Sequence, residues 1–194
     1  LGHNVMIGSR DEANPKAVIW TKQEGRNASF GSYADAAAFS EIIFNCTLGS
    51  ATMGALQMAG AANMKGKILI DTSNPLDYSN EIWTLTVCNT DSLGEQIQRA
   101  FPDTLVVKSL NTMNSDVMVD PNKLLERTSV FVSGNSADAK ATVTKILHDW
   151  FGWRSIIDLG DITTSRGVEM YVVLWRNLRH ATSSHRFNIK VVRS

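Results

Sequence analysis

The sequence predicts an α/β fold with a doubly wound, mainly parallel sheet, and three observations carry that prediction. Short apolar runs rich in Val, Ile and Phe alternate with longer stretches of helical periodicity, the pattern of strands joined by crossover helices. The run Lys67-Ile68-Leu69-Ile70 reads as a buried strand, with Gly66 before it and the polar turn Asp71-Thr72-Ser73-Asn74-Pro75 after it. No internal repeat, low-complexity tract or linker interrupts the chain, so residues 1–194 read as one domain ending in a helix and a tail.

Taken in order, the apolar runs place strands at 5–8, 29–31, 42–47, 67–71, 105–109, 129–133 and 155–159. Helical periodicity fills most of the gaps, over 12–24, 33–39, 51–61, 93–100, 137–151 and 166–179. Leu1-Gly2-His3 reads as the end of a helix terminated by Gly2. A doubly wound domain then requires a strand, a glycine-rich turn and a helix before Leu1, and no G-x-G-x-x-G occurs in the sequence.

Composition removes several classes of function. Lys plus Arg and Asp plus Glu both number 19, so no net field draws the protein to nucleic acid or an anionic membrane. No apolar run approaches the roughly 20 residues of a membrane span, and the first residues do not resemble a signal peptide. Cys46 and Cys88 show no paired spacing for zinc, redox or disulfide chemistry, and the four histidines show no metal-ligand spacing. A soluble protein of the reducing cytoplasm, without a metal site, is expected.

Chemistry concentrates where strands end. Val5-Met6-Ile7-Gly8-Ser9-Arg10 finishes in small, hydroxyl and guanidinium groups. At the end of the second strand of a dinucleotide-binding fold, an acidic residue holds the ribose 2′-hydroxyl and an arginine accommodates a 2′-phosphate. Arg10 therefore reads as a choice of NADP, with Ser9 adding a hydrogen bond and Lys16 adding charge. The alternative is that Arg10 merely starts a helix beside Asp11 and Glu12. Asn45-Cys46-Thr47-Leu48-Gly49-Ser50 offers small residues against which a flat ligand can lie, or only a tight turn. Asp71-Thr72-Ser73-Asn74-Pro75-Leu76 and Ser109-Leu110-Asn111-Thr112-Met113-Asn114 are bursts of neutral polar groups after buried strands, facing one cleft. Such groups suit the positioning of two rings for direct hydride transfer, with no catalytic acid or base.

Four segments in order carry a family resemblance: Ile7-Gly8-Ser9-Arg10, the turn from Ile70 to Leu76, the stretch from Val107 to Met113, and the tail from Phe187 to Arg193. Together they resemble the NADPH-dependent F420 reductase family over nearly the whole chain. The resemblance implies a Rossmann-type domain binding NADP(H), with a deazaflavin (coenzyme F420) or flavin ring stacked on the nicotinamide. On the matching positions, Ser9 and Arg10 would hold the 2′-phosphate, and Thr47 and Leu48 would lie along the nucleotide. Asn74, Pro75, Leu76, Asn111, Thr112 and Met113 would wall the pocket of the electron carrier. The family's opening strand and glycine loop have no counterpart here, which implies an N-terminally truncated chain with weakened cofactor binding.

Two other functions stay open on sequence alone. One is a non-catalytic nucleotide-binding or scaffold domain that has lost its phosphate loop. The other is a dehydrogenase of a small hydroxy acid or imine, for which Lys108 is the nearby acid/base candidate. The last helix carries Val168, Met170, Tyr171, Val172, Val173, Leu174, Trp175 and Leu178, apolar on nearly all sides, and so predicts either a deep core position or a homodimer.

Overall fold

The computed structural model describes residues 1–11, 14–79 and 82–194. Strand β1 (Val5–Ser9) lies parallel to β2 (Ala28–Ser32), in register from Val5↔Ala28 to Ser9↔Ser32. The crossover is α1 (Pro15–Glu24), with Pro15 in its first turn and the Asn14 side chain accepting from the Lys16 backbone N–H at 3.0 Å. This helix was expected to begin at Glu12, which falls outside the described residues. Helix α2 (Tyr33–Phe39) opens on a reciprocal cap: Ser32 Oγ accepts from Asp35 N, and Asp35 Oδ2 accepts from Ser32 N. A Cβ on Gly8 would lie 3.0 Å from the Ala36 Cβ, so the bare backbone there lets α2 settle on β1.

Next come β3 (Ile42–Asn45), α3 (Gly49–Ala59), α4 (Ala61–Met64) and β4 (Ile68–Asp71). A hairpin of β5 (Leu76–Asp77) and β6 (Thr84–Leu85) follows, then α5 (Leu93–Ala100) and β7 (Leu105–Ser109). The chain continues through α6 (Ser115–Val119), β8 (Ser129–Ser133), α7 (Ala137–Asp149), β9 (Ser155–Gly160) and α8 (Ser165–Thr182). The main sheet runs β3-β4-β7-β8-β9, and β1 with β2 forms a separate pair. Each strand expected from the sequence is present, as is each helix placed between residues 12 and 179, with ends shifted by a few residues. The hairpin and α6 were missed because their segments are shorter than one readable period.

Strand alternation builds two cores from one sheet. Leu69 and Val106 face one side, packed with Leu56, Ile97 and Phe101; their neighbours Ile70 and Val107 face the other, packed with Val143, Leu147 and Trp153. Helices therefore cover both faces, and the central strands β4 and β7 are apolar up to their carboxyl ends. β8 runs antiparallel to β7, since the connection through α6 stays at the carboxyl end of β7 and never recrosses the sheet. This is the mainly parallel, doubly wound α/β arrangement that the sequence predicts.

Candidate active site at the strand ends

The carboxyl ends of β3, β4 and β7 carry a polar row in strict register: Asn45 pairs with Asp71, and Asp71 with Lys108. All three are buried. Asn45 Nδ2 donates to Asp71 Oδ1 at 2.7 Å, and Ser73 Oγ donates to the same oxygen at 2.7 Å. Lys108 Nζ meets Asp71 Oδ2 at 2.7 Å, the Ser73 carbonyl at 2.5 Å and Glu169 Oε1 at 2.8 Å. An ammonium has three protons, and three acceptors take them. Burial pushes Lys108 down, but the carboxylates of Asp71 and Glu169 outweigh it and hold the ammonium above its ordinary 10.5.

Glu169, on α8, was not anticipated from the sequence. Its two oxygens accept from the backbone N–H groups of Leu93 at 2.8 Å and Gly94 at 3.0 Å, the opening residues of α5. The second negative charge of the cluster thus rests on a helix N-terminus, where orphan N–H groups and the macrodipole favour it. Sheet, α5 and α8 are fastened together at one buried point. Lys108 is a structural cation here, with no N–H left for a substrate.

One layer outward, the two polar turns join. Asn111 Nδ2 donates to Asn74 Oδ1 at 2.9 Å and to the Val168 carbonyl at 3.0 Å, and Asn74 Nδ2 donates to the Asn111 carbonyl at 2.9 Å. The turn after β7 is strained: Leu110 is a buried non-glycine residue at φ +65°. Thr112 Oγ1 is buried beside it with no hydrogen-bond partner among the described residues. Asn74 is half-buried, Pro75 and Leu76 are buried, and Met113 enters the core against α6 and α7.

At the end of β1, Ser9 is buried and its Oγ accepts from Asn14 Nδ2 at 2.9 Å. Arg10 occupies the bend between β1 and α1, so it does not start a helix. It is exposed, has no ion-pair partner among the described residues, and shares the approach to α1 with exposed Lys16. At the end of β3, Thr47 Oγ1 donates to Asn45 Oδ1 at 2.7 Å, and Leu48 is 62% exposed. The small residue Gly49 does not leave room for a ligand as expected: a Cβ there would lie 1.8 Å from the Asn74 carbonyl oxygen. The backbone of Asn74 and Pro75 fills that space.

Comparison with known proteins agrees with this geometry. Residues 1–75 match the family described as NADP oxidoreductase coenzyme F420-dependent. A protein from Arthrobacter sp. FB24, assigned as an F420-dependent NADP-reductase, has 47% identity and a TM-score of 0.93, over 99% of this chain and 90% of that one. The chain belongs to the coenzyme F420-dependent NADP oxidoreductase family. By family it is an NADP-dependent oxidoreductase with a Rossmann-type fold. A hypothetical protein from Sinorhizobium meliloti shares the fold at 22% identity and TM-score 0.65, over 83% of this chain and 75% of that one. An imine reductase from Pseudomonas sp. shares it at 20% identity and TM-score 0.63; 94% of this oxidoreductase aligns with 55% of that chain. No curated protein matches the sequence. Among the described residues, no helix of the oxidoreductase is long and apolar enough to cross a membrane.

Proposed function

We propose that the protein transfers hydride between NADP(H) and a deazaflavin (coenzyme F420) or flavin ring. The observation that carries this reading is the saturation of Lys108 by Asp71, Ser73 and Glu169. Asp71, Lys108 and Glu169 are occupied with one another, and the polar side chains of the two joined turns, Asn74, Asn111 and Thr112, are neutral amides and a hydroxyl. Such a site positions rings and moves no proton.

The residues fit the cofactor. Arg10, exposed and unpaired among the described residues, supplies the planar donor edge that a 2′-phosphate takes, and Lys16 adds charge. Ser9 Oγ accepts from Asn14 and keeps its own O–H to donate to a phosphate oxygen beside Arg10. Thr47 and Leu48 form the ledge for the nucleotide. Asn74 and Asn111, clamped to each other and to α8, hold the floor on which Pro75, Leu76, Thr112 and Met113 support the acceptor ring, and the unpartnered Thr112 hydroxyl lies in that floor. When bound, the reduced nicotinamide supplies the hydride. Mixing the protein with NADPH and oxidised deazaflavin, and in parallel with a free flavin, should bleach the acceptor's absorbance in step with NADPH consumption. No transfer to either ring rejects the proposal.

The same reading treats the described residues as one domain and pairs two copies through α8, on which Met170, Val173 and Leu174 are exposed at 37%, 38% and 53%.

A further inference from the structure

We infer that Asn74, Asn111 and Thr112 read the hydrogen-bonding edge of the acceptor ring, and that this edge is a cyclic imide; this rests on the hydride-acceptor reading above. Every polar group has a fixed capacity for hydrogen bonds, and at the two joined turns part of it is unused. Asn74 Nδ2 carries two protons and gives one to the Asn111 carbonyl at 2.9 Å. Asn111 Nδ2 gives both of its protons, to Asn74 Oδ1 at 2.9 Å and to the Val168 carbonyl at 3.0 Å. Asn111 Oδ1 accepts from no group among the described residues, and Thr112 Oγ1 is buried without a partner among them. One N–H on Asn74, one carbonyl oxygen on Asn111 and one hydroxyl on Thr112 are left over.

A cyclic imide is the complement of that set. It presents a carbonyl, an N–H and a second carbonyl along one edge, so it accepts from Asn74, donates to Asn111 Oδ1 and accepts from the Thr112 hydroxyl. The dione edge of a deazaflavin or flavin is such a group. The carboxamide of a nicotinamide is not: it has one carbonyl, which meets Asn74, and nothing to accept from Thr112. Discrimination of this kind is strong, because a ring without the imide leaves buried polar groups unpaired.

The turn is built for the purpose at some cost to its own stability. Leu110 is held at φ +65°, and two residues on the Thr112 hydroxyl goes without a hydrogen bond. Bonds to Asn74 and to α8 fix the plane of the Asn111 amide, so Oδ1 keeps its direction before any ligand arrives. Asn74 is half-buried, while Asn111 and Thr112 are 4% and 3% exposed, so the ring edge enters past Asn74 and ends on Thr112. A plainer account is that Thr112 fills the turn as valine would and bonds an internal water. That account leaves the unused groups of Asn74 and Asn111, on the same pair of turns, without a role.

The bare rings lumiflavin and 5-deazalumiflavin both carry the imide, and methylation at its nitrogen removes the one donor. In fluorescence titrations of the full chain, the parent rings should bind about tenfold tighter or more than their methylated forms. Thr112→Val, which keeps the shape of the side chain, should weaken the parent rings about threefold to tenfold and leave the NADPH affinity unchanged. The same substitution should raise the Tm of the ligand-free protein, since it removes an unpaired buried hydroxyl. A lower Tm shows an internal partner for Thr112 and overturns the inference. So does a loss of NADPH affinity in Thr112→Val, which would assign these groups to the carboxamide. If the parent and methylated rings bind equally and both take hydride from NADPH, the inference falls alone and the acceptor reading stands; if no ring binds or takes hydride, both fall.

Discussion

Arg10 and Gly49 show what single residues decide at this site. Arg10 is exposed at the bend after β1 with no ion-pair partner among the described residues, so Arg10→Ala should lower the preference for NADPH over NADH about tenfold or more. Dissociation constants for the two nucleotides measure it, and an unchanged ratio would move the 2′-phosphate elsewhere. Gly49 lies against the Asn74 carbonyl, and an added methyl at 1.8 Å must displace the turn that carries Asn74 and Pro75. Gly49→Ala should therefore cost about 3 kcal/mol in urea unfolding, at the severe end of overpacking. Arg10, Asn74 and Asn111 stood out in the sequence because each lies within three residues of a strand's carboxyl end, where a doubly wound fold places its ligands. Glu169 did not. It sits among apolar neighbours inside a helix, and its partners Lys108 and Leu93 are distant in the chain. Gly49 was legible as a tight spot, but the group that fills it comes from another strand's turn.

Between elements, the buried group of Asp71, Lys108 and Glu169 fixes α8 to the sheet. Lys108→Met strands two carboxylates in a dry interior and should cost about 3–5 kcal/mol, read by thermal or urea unfolding. Adding Asp71→Asn and Glu169→Gln to Lys108→Met should recover part of that loss. The folded-state value of Lys108 lies above its ordinary 10.5, so its contribution is complete below that value and fades only as pH climbs through the raised one. The cluster should therefore survive mild alkali, with no melting loss traceable to Lys108 below pH 10.5. The sequence alone shows a lysine near a strand end, which suits an acid/base role equally well; the three surrounding acceptors are a tertiary fact. Long elements such as α7 and α8 were readable from periodicity. The direction of β8 was not, because it depends on the side of the sheet at which the connection after β7 stays.

At the scale of the whole molecule, part of the acid sensitivity lies at the start of α5. Hydrogen bonds from Arg99 pull Asp91 down to about 2, and the Arg166 guanidinium holds Glu95 below the usual carboxylate range. Depressed carboxylates stabilise the fold above their unfolded values of 3.8 and 4.5, and that stability is lost as pH falls through the folded ones. Unfolding midpoints should drop between pH 4.5 and about 2, and Arg166→Met should remove the Glu95 share. The proposed pairing of copies through α8 predicts that Leu174→Glu yields monomers in sedimentation while leaving the far-ultraviolet spectrum unchanged. The separateness of β1 and β2 has a consequence for timing. Among the described residues, the pair that presents Arg10 shares no ladder with the strands that present Thr47 and Asn74, and packing through α2, between β1 and α3, together with the His3 ring on Trp150 at 4.2 Å, ties them. Amide protons of β1 and β2 should exchange with deuterium through a local opening of low free energy, well before those of β4 and β7. A nucleotide gripped at both places would close that opening, and its slowing of exchange in β1 would report occupancy without any catalytic turnover.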